Sequence, residues 1–264
     1  MALRSRGYDA CMGRGETRRR LRRGVIPTTI RGCLFDLDGV LTKTARVHEA
    51  AWKRMFDDFL REREGESFRP FEHDEYLRYV DGRLRLDGVR RFLESRDIAL
   101  PEGSPADTAD MDTVHGLAAR KNGYFLDALR RDGVEVYAES VQFVEAVRAA
   151  EFRTAVVTAS RNCSEVLEAA GLVGLFEVQI DGNVAHREGL RGKPEPDTFL
   201  AAARALGLSA AASAVFEDAE AGVEAGRRGA FGWVVGVDRT GNAKALRERG
   251  ADIVVGDLGE LLED

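Results

Sequence analysis

Short apolar runs that end in polar residues recur along this sequence, and they constrain its fold more than any other feature. These runs occupy residues 30–35, 154–157, 214–216, 233–237 and 253–255. Stretches rich in Ala and Leu, with helical spacing, separate them and cover residues 141–150, 163–170, 196–206, 219–228 and 243–249. Strands that alternate with helices predict parallel βαβ units. The fold class is therefore α/β, with a doubly wound, Rossmann-like parallel sheet.

One long segment interrupts this alternation. Residues 46–134 contain helical patterns over residues 47–64, 84–96 and 117–131, but no convincing buried strand. A helical block inserted after the first strand predicts a separate cap domain. We therefore expect a discontinuous catalytic core formed by residues 27–45 and 135–264, with a helical cap domain over residues 46–134.

The N-terminal segment differs from the rest of the chain in charge. Residues 1–24 contain eight arginines and two acidic residues, so the remainder carries a net charge of −12 within a total of −6. Solvated, frayed segments have this composition, which predicts a basic disordered tail over residues 1–26. The acidic body makes nucleic acid an unfavourable partner.

Cysteine usage and hydropathy bear on the cellular compartment. The three cysteines lack the spacing of disulfide, zinc or redox motifs. No apolar run approaches the length needed to span a bilayer, and no apolar stretch follows the early arginines as it would in a secretory signal. We therefore expect a cytoplasmic protein with no membrane association. We also expect a monomer, because the sequence shows neither a heptad repeat nor an obvious exposed strand edge that could pair with another chain.

Carboxylates stand at the ends of two predicted strands. Asp36 and Asp38 follow the first apolar run, while Glu217 and Asp218 follow residues 214–216. Carboxylates so close together repel one another unless a cation or a shared proton offsets their charge. Oxygen ligands suit a hard cation, so the sequence predicts a Mg²⁺ site here. An isolated Asp-x-Asp is also typical of a surface turn.

Hydroxyl and ammonium groups occur in the same part of the predicted fold. Thr158 and Ser160 lie between a strand and a helix, where free backbone N–H groups bind anions. Lys193 lies in a proline-containing loop, and a fixed ammonium near carboxylates can neutralise a phosphoryl group. Taken singly, Ser160 is more typical of a helix N-cap, and Lys193 is more typical of a solvated loop.

Together these residues form four ordered motifs, namely Asp36-Leu37-Asp38-Gly39, Thr158, Lys193-Pro194 and Glu217-Asp218. The set resembles the motifs of the haloacid dehalogenase-like phosphotransferases, over about residues 31–262. The resemblance implies that Asp36 is a nucleophile forming an aspartyl-phosphate and that Asp38 is the general acid and base. It also implies that Thr158 and Lys193 bind the transferred phosphoryl group. The implied Mg²⁺ ligands are Asp36, the backbone carbonyl of Asp38 and Asp218, with Glu217 either as a further ligand or as a support for the others.

Residues of the helical insert extend the resemblance to the β-phosphoglucomutase-like branch of this family. His48 and Lys121 stand at matching positions of its cap segments, and Arg85 at a phosphate-binding arginine. The resemblance implies a catalytic role for His48. The implied substrate-binding residues are Thr44, Trp52, Gly82, Arg85, Lys121, Asn122, Ser160, Arg161 and Asn162. A mutase needs a second phosphate site, which Arg85 and residues 160–162 would form.

The branch implies a Mg²⁺-dependent phosphomutase that interconverts β-glucose 1-phosphate and glucose 6-phosphate through glucose 1,6-bisphosphate. Two alternatives stay open: a sugar-phosphate phosphatase, and a non-catalytic phosphosugar sensor whose arginine-rich tail binds a partner. Lys43 departs from the acidic residue common at its position. It is either an exposed linker residue or one that changes the electrostatics of the hinge.

Overall fold

The computed structural model describes residues 19–263, and their contacts divide them into two compact units. The first unit, here called the core unit, contains the chain up to Lys43 and from Val134 onward. The second, the helical unit, is the continuous segment Thr44–Gly133. The sequence predicted a helical segment from residue 46 to residue 134, and the contacts separate residues 44–133 from the rest of the chain. No helix in the described part of the chain is long and apolar enough to cross a membrane.

A six-stranded parallel sheet forms the centre of the core unit. Its strands are β1 Gly32–Phe35, β2 Arg153–Val157, β3 Val178–Ile180, β4 Ser213–Glu217, β5 Trp233–Val237 and β6 Ile253–Val255. Their order is β3-β2-β1-β4-β5-β6, and each neighbouring pair is parallel. This confirms the predicted fold class. The sequence reading missed β3, which has only three residues, two of them partly exposed.

Six helices of the core unit connect these strands. They are α5 Ala138–Ala149, α6 Cys163–Ala170, α7 Gly182–Glu188, α8 Asp197–Ala205, α9 Glu220–Arg228 and α10 Ala243–Arg249. All except α7 were predicted, with bounds that agree within three residues. Helix α7 follows the missed strand β3, and its N-cap is Asp181, whose carboxylate accepts from the backbone N–H groups of Asn183 and Val184.

Aromatic packing joins the sheet to its helices. Phe35 of β1 stacks on Phe216 of β4, with ring centroids 4.6 Å apart and planes at 13°. Phe143 of α5 meets Phe35 edge to face at 6.2 Å. The register places Phe35 opposite both Phe216 and Val156 of β2, so these three strands end at the same level. Residues that follow them therefore share one edge of the sheet.

The helical unit has no strand among residues 44–133, as predicted. Its main helices are α1 Thr44–Glu64, α3 Arg85–Ser95 and α4 Val114–Asp132, and a short turn α2 His73–Glu75 continues into a π-helix over Tyr76–Val80. Phe56 of α1 packs on Phe92 of α3, with centroids 3.9 Å apart. Helix α4 begins three residues before its predicted start because Thr113 caps it, accepting from Gly116 N–H at 2.9 Å.

The prediction of a disordered tail over residues 1–26 is wrong for residues 19–26, while residues 1–18 lie outside the described residues. Leu21 forms an antiparallel bridge with Leu262, and Arg22 donates its backbone N–H to Leu261 O at 3.0 Å. Arg22 Nε also donates to Leu262 O at 3.1 Å. Charge composition failed here because backbone pairing with a distant segment, which composition does not encode, holds these residues.

We expect a chain lacking residues 1–24 to be less stable than one lacking residues 1–18, by about 1–3 kcal/mol. The difference corresponds to the loss of a few backbone and guanidinium hydrogen bonds. Urea unfolding of the two truncations followed by circular dichroism measures it. Coincident unfolding midpoints would show that residues 19–24 contribute nothing to folding.

Candidate active site

Polar residues from three adjacent strands meet at the carboxyl edge of the sheet. Asp36 and Asp38 follow β1, Thr158 follows β2, and Glu217 ends β4 and precedes Asp218. Because β2, β1 and β4 are neighbours, the order of the sheet alone brings these side chains together. Ligands of doubly wound folds bind at this edge. The structure thus brings together the strand-end carboxylates that the sequence singled out.

Lys193 lies at the centre of the cluster. Its ammonium donates to Asp36 Oδ1 at 2.5 Å, to Glu217 Oε2 at 2.6 Å and to the Val157 carbonyl at 3.3 Å. Its side chain is only 2% exposed, so the alternative of a solvated loop lysine is wrong. Burial alone would lower the pKa of Lys193, but the carboxylates of Asp36 and Glu217 outweigh burial and raise the pKa above its usual value.

Asp36 is buried beside a second carboxylate. Burial, and then the negative charge of Glu217, raise the pKa of Asp36 well above its ordinary value, although Lys193 acts in the opposite direction. Oxygens of Asp36, Glu217 and Asp218 lie within 4.8 Å of one another. Three carboxylates facing one ammonium leave two uncompensated negative charges when ionised. That excess, on oxygen ligands only, fits a hard divalent cation.

Two glycines allow the carboxylates to approach the backbone. Gly39 has a φ of +97°, and a Cβ at this residue would lie within 1.8 Å of an Asp218 carboxylate oxygen. A Cβ at Gly222, in the first turn of α9, would lie 2.0 Å from the Glu217 carboxyl carbon. Larger side chains at either position would displace the acidic groups. The glycines thus set the positions of Glu217 and Asp218 as much as the strand ends do.

Asp38 contacts a hydroxyl group. Thr158 Oγ1 donates to Asp38 Oδ2 at 2.9 Å and accepts from Ser160 N–H at 3.0 Å. Ser160 Oγ in turn accepts from Asn162 N–H at 3.2 Å. Ser160 is not the N-cap of α6, since Asn162 occupies that position. The chain of contacts links the carboxylate of Asp38 to the turn formed by residues 160–162.

Two residues that the sequence reading missed hold this turn. Asn183 Nδ2 donates to the Arg161 carbonyl at 2.8 Å, and Gly182 N–H donates to the Ser160 carbonyl at 2.9 Å. Asp181, 5% exposed, orients Asn183 by accepting from its backbone and side-chain amides. The Asp-Gly-Asn sequence of residues 181–183 could have indicated a helix start, but only if β3 had been recognised as the strand before it.

The helical unit brings His48 and Lys121 together. Lys121 Nζ lies 2.6 Å from His48 Nδ1, and the lysine residue is 2% exposed. His48 stacks on Phe125, with centroids 3.9 Å apart, and the ammonium lies 5.1 Å from the ring centroid of Trp52. Aromatic rings thus surround a buried ammonium, which favours the cation electrostatically. Two residues predicted from separate segments of the insert therefore form one cluster.

The other predicted residues of the helical unit differ in their surroundings. Trp52 is 4% exposed and stacks on Phe56 at 5.3 Å, within the hydrophobic core of the unit. Thr44 is buried at the start of α1, Arg85 begins α3, and Asn122 lies in α4, adjacent to Lys121. Gly82, with a φ of +67°, lies in the turn before α3.

Lys43 contacts the other connection between the units. Its ammonium pairs with Glu135 Oε2 at 2.9 Å, and its backbone N–H donates to the Glu135 carbonyl at 2.9 Å. Both side chains are largely exposed, at 47% and 75%. Lys43, which stands where an acidic residue is common, therefore has an oppositely charged partner in Glu135. An acidic residue at position 43 would repel Glu135.

Replacement of Lys193 by methionine is expected to destabilise the metal-free protein by about 3–5 kcal/mol, because two buried carboxylates lose their partner. In the variant the pKa of Asp36 rises further. A carboxyl whose folded-state pKa is raised favours folding at low pH and loses that contribution as pH increases through the folded pKa, so the deficit shrinks on acidification. Denaturant unfolding in EDTA at pH 5 and pH 8 measures both effects.

Lys244, whose side chain is 90% exposed, provides the matched control for this substitution. Lys244→Met should unfold like the unaltered protein at both pH values. If Lys193→Met did the same, the ion pairs at the sheet edge would have no part in stability.

Comparison with known proteins agrees with this geometry. Residues 30–229 match the family model described as haloacid dehalogenase-like hydrolase. The chain is 50% identical over 244 residues to proteins named beta-phosphoglucomutase from Mycobacterium bovis and Mycobacterium tuberculosis, covering 90% of this chain and 93% of each relative. A crystal structure of beta-phosphoglucomutase from Clostridium difficile superposes with a TM-score of 0.69 at 23% identity, covering 88% of this chain and 93% of that one. The chain belongs to the haloacid dehalogenase-like hydrolase family, in its β-phosphoglucomutase-like branch of isomerase-type phosphotransferases.

Proposed function

We propose that the protein is a Mg²⁺-dependent phosphomutase that interconverts β-glucose 1-phosphate and glucose 6-phosphate. The buried ion pair of Asp36 with Lys193, beside Glu217 and Asp218, is the observation that carries this proposal. It combines a carboxylate nucleophile with the positive charge needed to approach a phosphate dianion. The Mycobacterium relatives, which share half of their residues with this chain, bear the name of such an enzyme.

Asp36 is the proposed nucleophile. Lys193 donates to Asp36 Oδ1 at 2.5 Å, which restrains the carboxylate, and Oδ2 is the proposed attacking atom. Attack forms the Asp36–phosphate bond as the bond from phosphorus to the sugar oxygen breaks. The Lys193 ammonium and the Thr158 hydroxyl are proposed to bind the oxygens of the transferred group, where negative charge accumulates.

Asp38 is the proposed proton carrier. It donates a proton to the departing sugar oxygen and later accepts one from the hydroxyl that attacks the aspartyl-phosphate. Thr158 fixes Asp38 by donating to Oδ2 at 2.9 Å, and Thr158 is itself tied to the turn of residues 160–162. The proton carrier and the turn thus form one connected unit.

The carboxylates of Asp36, Glu217 and Asp218, with the backbone carbonyl of Asp38, are the proposed Mg²⁺ ligands. Their two uncompensated negative charges and all-oxygen donor set suit this ion. When bound, Mg²⁺ offsets the repulsion between Asp36 and the phosphate. Glu217 also accepts from Lys193 and from Ala219 N–H, so it fixes the ammonium whether or not it binds the metal directly.

A mutase must bind the phosphate that is not being transferred. In the core unit we assign Ser160, Arg161 and Asn162 to this second phosphate, because the Asp181–Asn183 segment holds the backbone of their turn in place. For Arg85, in the helical unit, we propose phosphate binding on the strength of the family resemblance. The remaining proposed substrate-binding residues are Thr44, Trp52, Gly82, Lys121 and Asn122, with His48 in a catalytic role beside Lys121.

A coupled assay for glucose 6-phosphate tests the proposal, with β-glucose 1-phosphate, Mg²⁺ and a trace of glucose 1,6-bisphosphate. We expect turnover that stops in EDTA and resumes when Mg²⁺ is restored. Free phosphate without glucose 6-phosphate would replace the mutase by a sugar-phosphate phosphatase. If the protein bound phosphosugar tightly but released neither glucose 6-phosphate nor free phosphate, the remaining alternative would be a non-catalytic phosphosugar sensor.

Asp36→Asn removes the nucleophile with little change in shape. We expect kcat to fall by at least about three orders of magnitude, since the variant cannot form the acyl phosphate. The proposed role predicts ³²P transfer from labelled bisphosphate to the unaltered protein but not to the variant. Asp74→Asn, in α2 of the helical unit, is the control and should leave both measurements unchanged. If Asp36→Asn were labelled to the same extent as the unaltered protein, Asp36 would not be the nucleophile.

A further inference from the structure

Arg239, in the loop after β5, donates five hydrogen bonds, although no motif includes it. Its side chain is 11% exposed. Nε donates to the Gly39 carbonyl at 2.9 Å, and Nη2 donates to the Val40 carbonyl at 3.2 Å. The remaining N–H groups donate to Ser140 Oγ at 3.0 Å, to the Gly256 carbonyl at 2.8 Å and to Asp257 Oδ2 at 2.6 Å.

A guanidinium has five N–H groups, and each of these five has an acceptor in the core unit. Its central carbon also lies 3.5 Å from the ring centroid of Tyr137. With every donor used, Arg239 has no hydrogen to offer a phosphate. The contacts therefore point to a role in holding protein backbone rather than in binding substrate.

The backbone that Arg239 holds is the turn after Asp38. Gly39 N–H donates to the Thr42 carbonyl at 2.8 Å, which closes the turn. Gly39 packs against the Asp218 carboxylate. A shift of the Gly39 peptide would therefore displace that carboxylate or change the shape of the turn. The carbonyl assigned to the metal belongs to Asp38, the residue immediately before Gly39.

We propose that Arg239 is a positioning residue that fixes the Gly39–Val40 peptides, and through them the Asp38 carbonyl and the Asp218 carboxylate at the metal site. The inference rests on the proposed metal ligands but not on the identity of the sugar. Asp257 and Ser140 orient the guanidinium from the opposite side, since Ser140 Oγ also donates to Asp257 Oδ1 at 3.2 Å.

The geometry requires arginine specifically. Two of the acceptors are adjacent carbonyls reached by Nε and Nη2, a spacing that the planar fork matches and a lysine ammonium does not. Lysine offers three hydrogens at a single point, so Arg239→Lys keeps the charge but cannot reach all five acceptors.

The experiment compares Arg239→Lys with Arg249→Lys, which alters an arginine that pairs with Glu220 and Glu224 at the surface. Mn²⁺ is titrated into the metal-free proteins and followed by electron paramagnetic resonance. We expect Arg239→Lys to weaken Mn²⁺ binding about 10-fold and to lower kcat about 10- to 100-fold, with little change in KM. Arg249→Lys should match the unaltered protein in all three.

Thermal unfolding identifies a temperature at which every variant is folded, and all measurements are made there. Unchanged Mn²⁺ affinity in Arg239→Lys overturns the proposal, whether or not kcat falls, because the metal site would then not depend on this side chain. A further outcome is that the unaltered protein shows no mutase turnover while Arg239→Lys still binds Mn²⁺ more weakly than it does. That pair of results would reject the proposed function and retain the role of Arg239.

Discussion

The candidate active site depends on one buried ammonium between two buried carboxylates. Lys193 comes from a loop before α8, whereas Asp36 and Glu217 come from neighbouring strands, so the ion pairs join three separate parts of the core unit. Desolvation makes such a cluster a weak contributor to stability compared with apolar packing. Its value in the proposed function lies in chemistry, because the same arrangement presents the proposed nucleophile, Asp36, together with the positive charge that a phosphate dianion requires.

Close approach of backbone to carboxylate is the second constraint. At Gly39 and Gly222 the absence of a Cβ leaves space for Asp218 and Glu217, and Arg239 donates a hydrogen bond to the Gly39 carbonyl. The site is thus supported by groups that take no direct part in the proposed reaction. Such support is how a protein keeps several like charges at a fixed separation.

The features that the sequence predicted are those that short segments encode. Apolar runs with polar ends identified β1, β2 and β4, and hence the residues at their ends, because strand and site are adjacent in the chain. The features it missed depend on distant partners. Strand β3 is recognisable only through its pairing with β2. The ordered structure of residues 19–26 depends on pairing with the C-terminal segment. The role of Arg239 depends on its hydrogen bond to a carbonyl two hundred positions away in the sequence.

The position of β1 in the sheet has a consequence for biosynthesis. This strand is made before every other strand, yet its two neighbours are β2 and β4, and the helical unit is translated between β1 and β2. An emerging chain can complete the continuous helical unit while β1, with its buried apolar residues, still lacks both partners. The first strand is therefore exposed for longest during translation, and the carboxylate cluster around Asp36, the proposed nucleophile, is complete only when β4 has been synthesised.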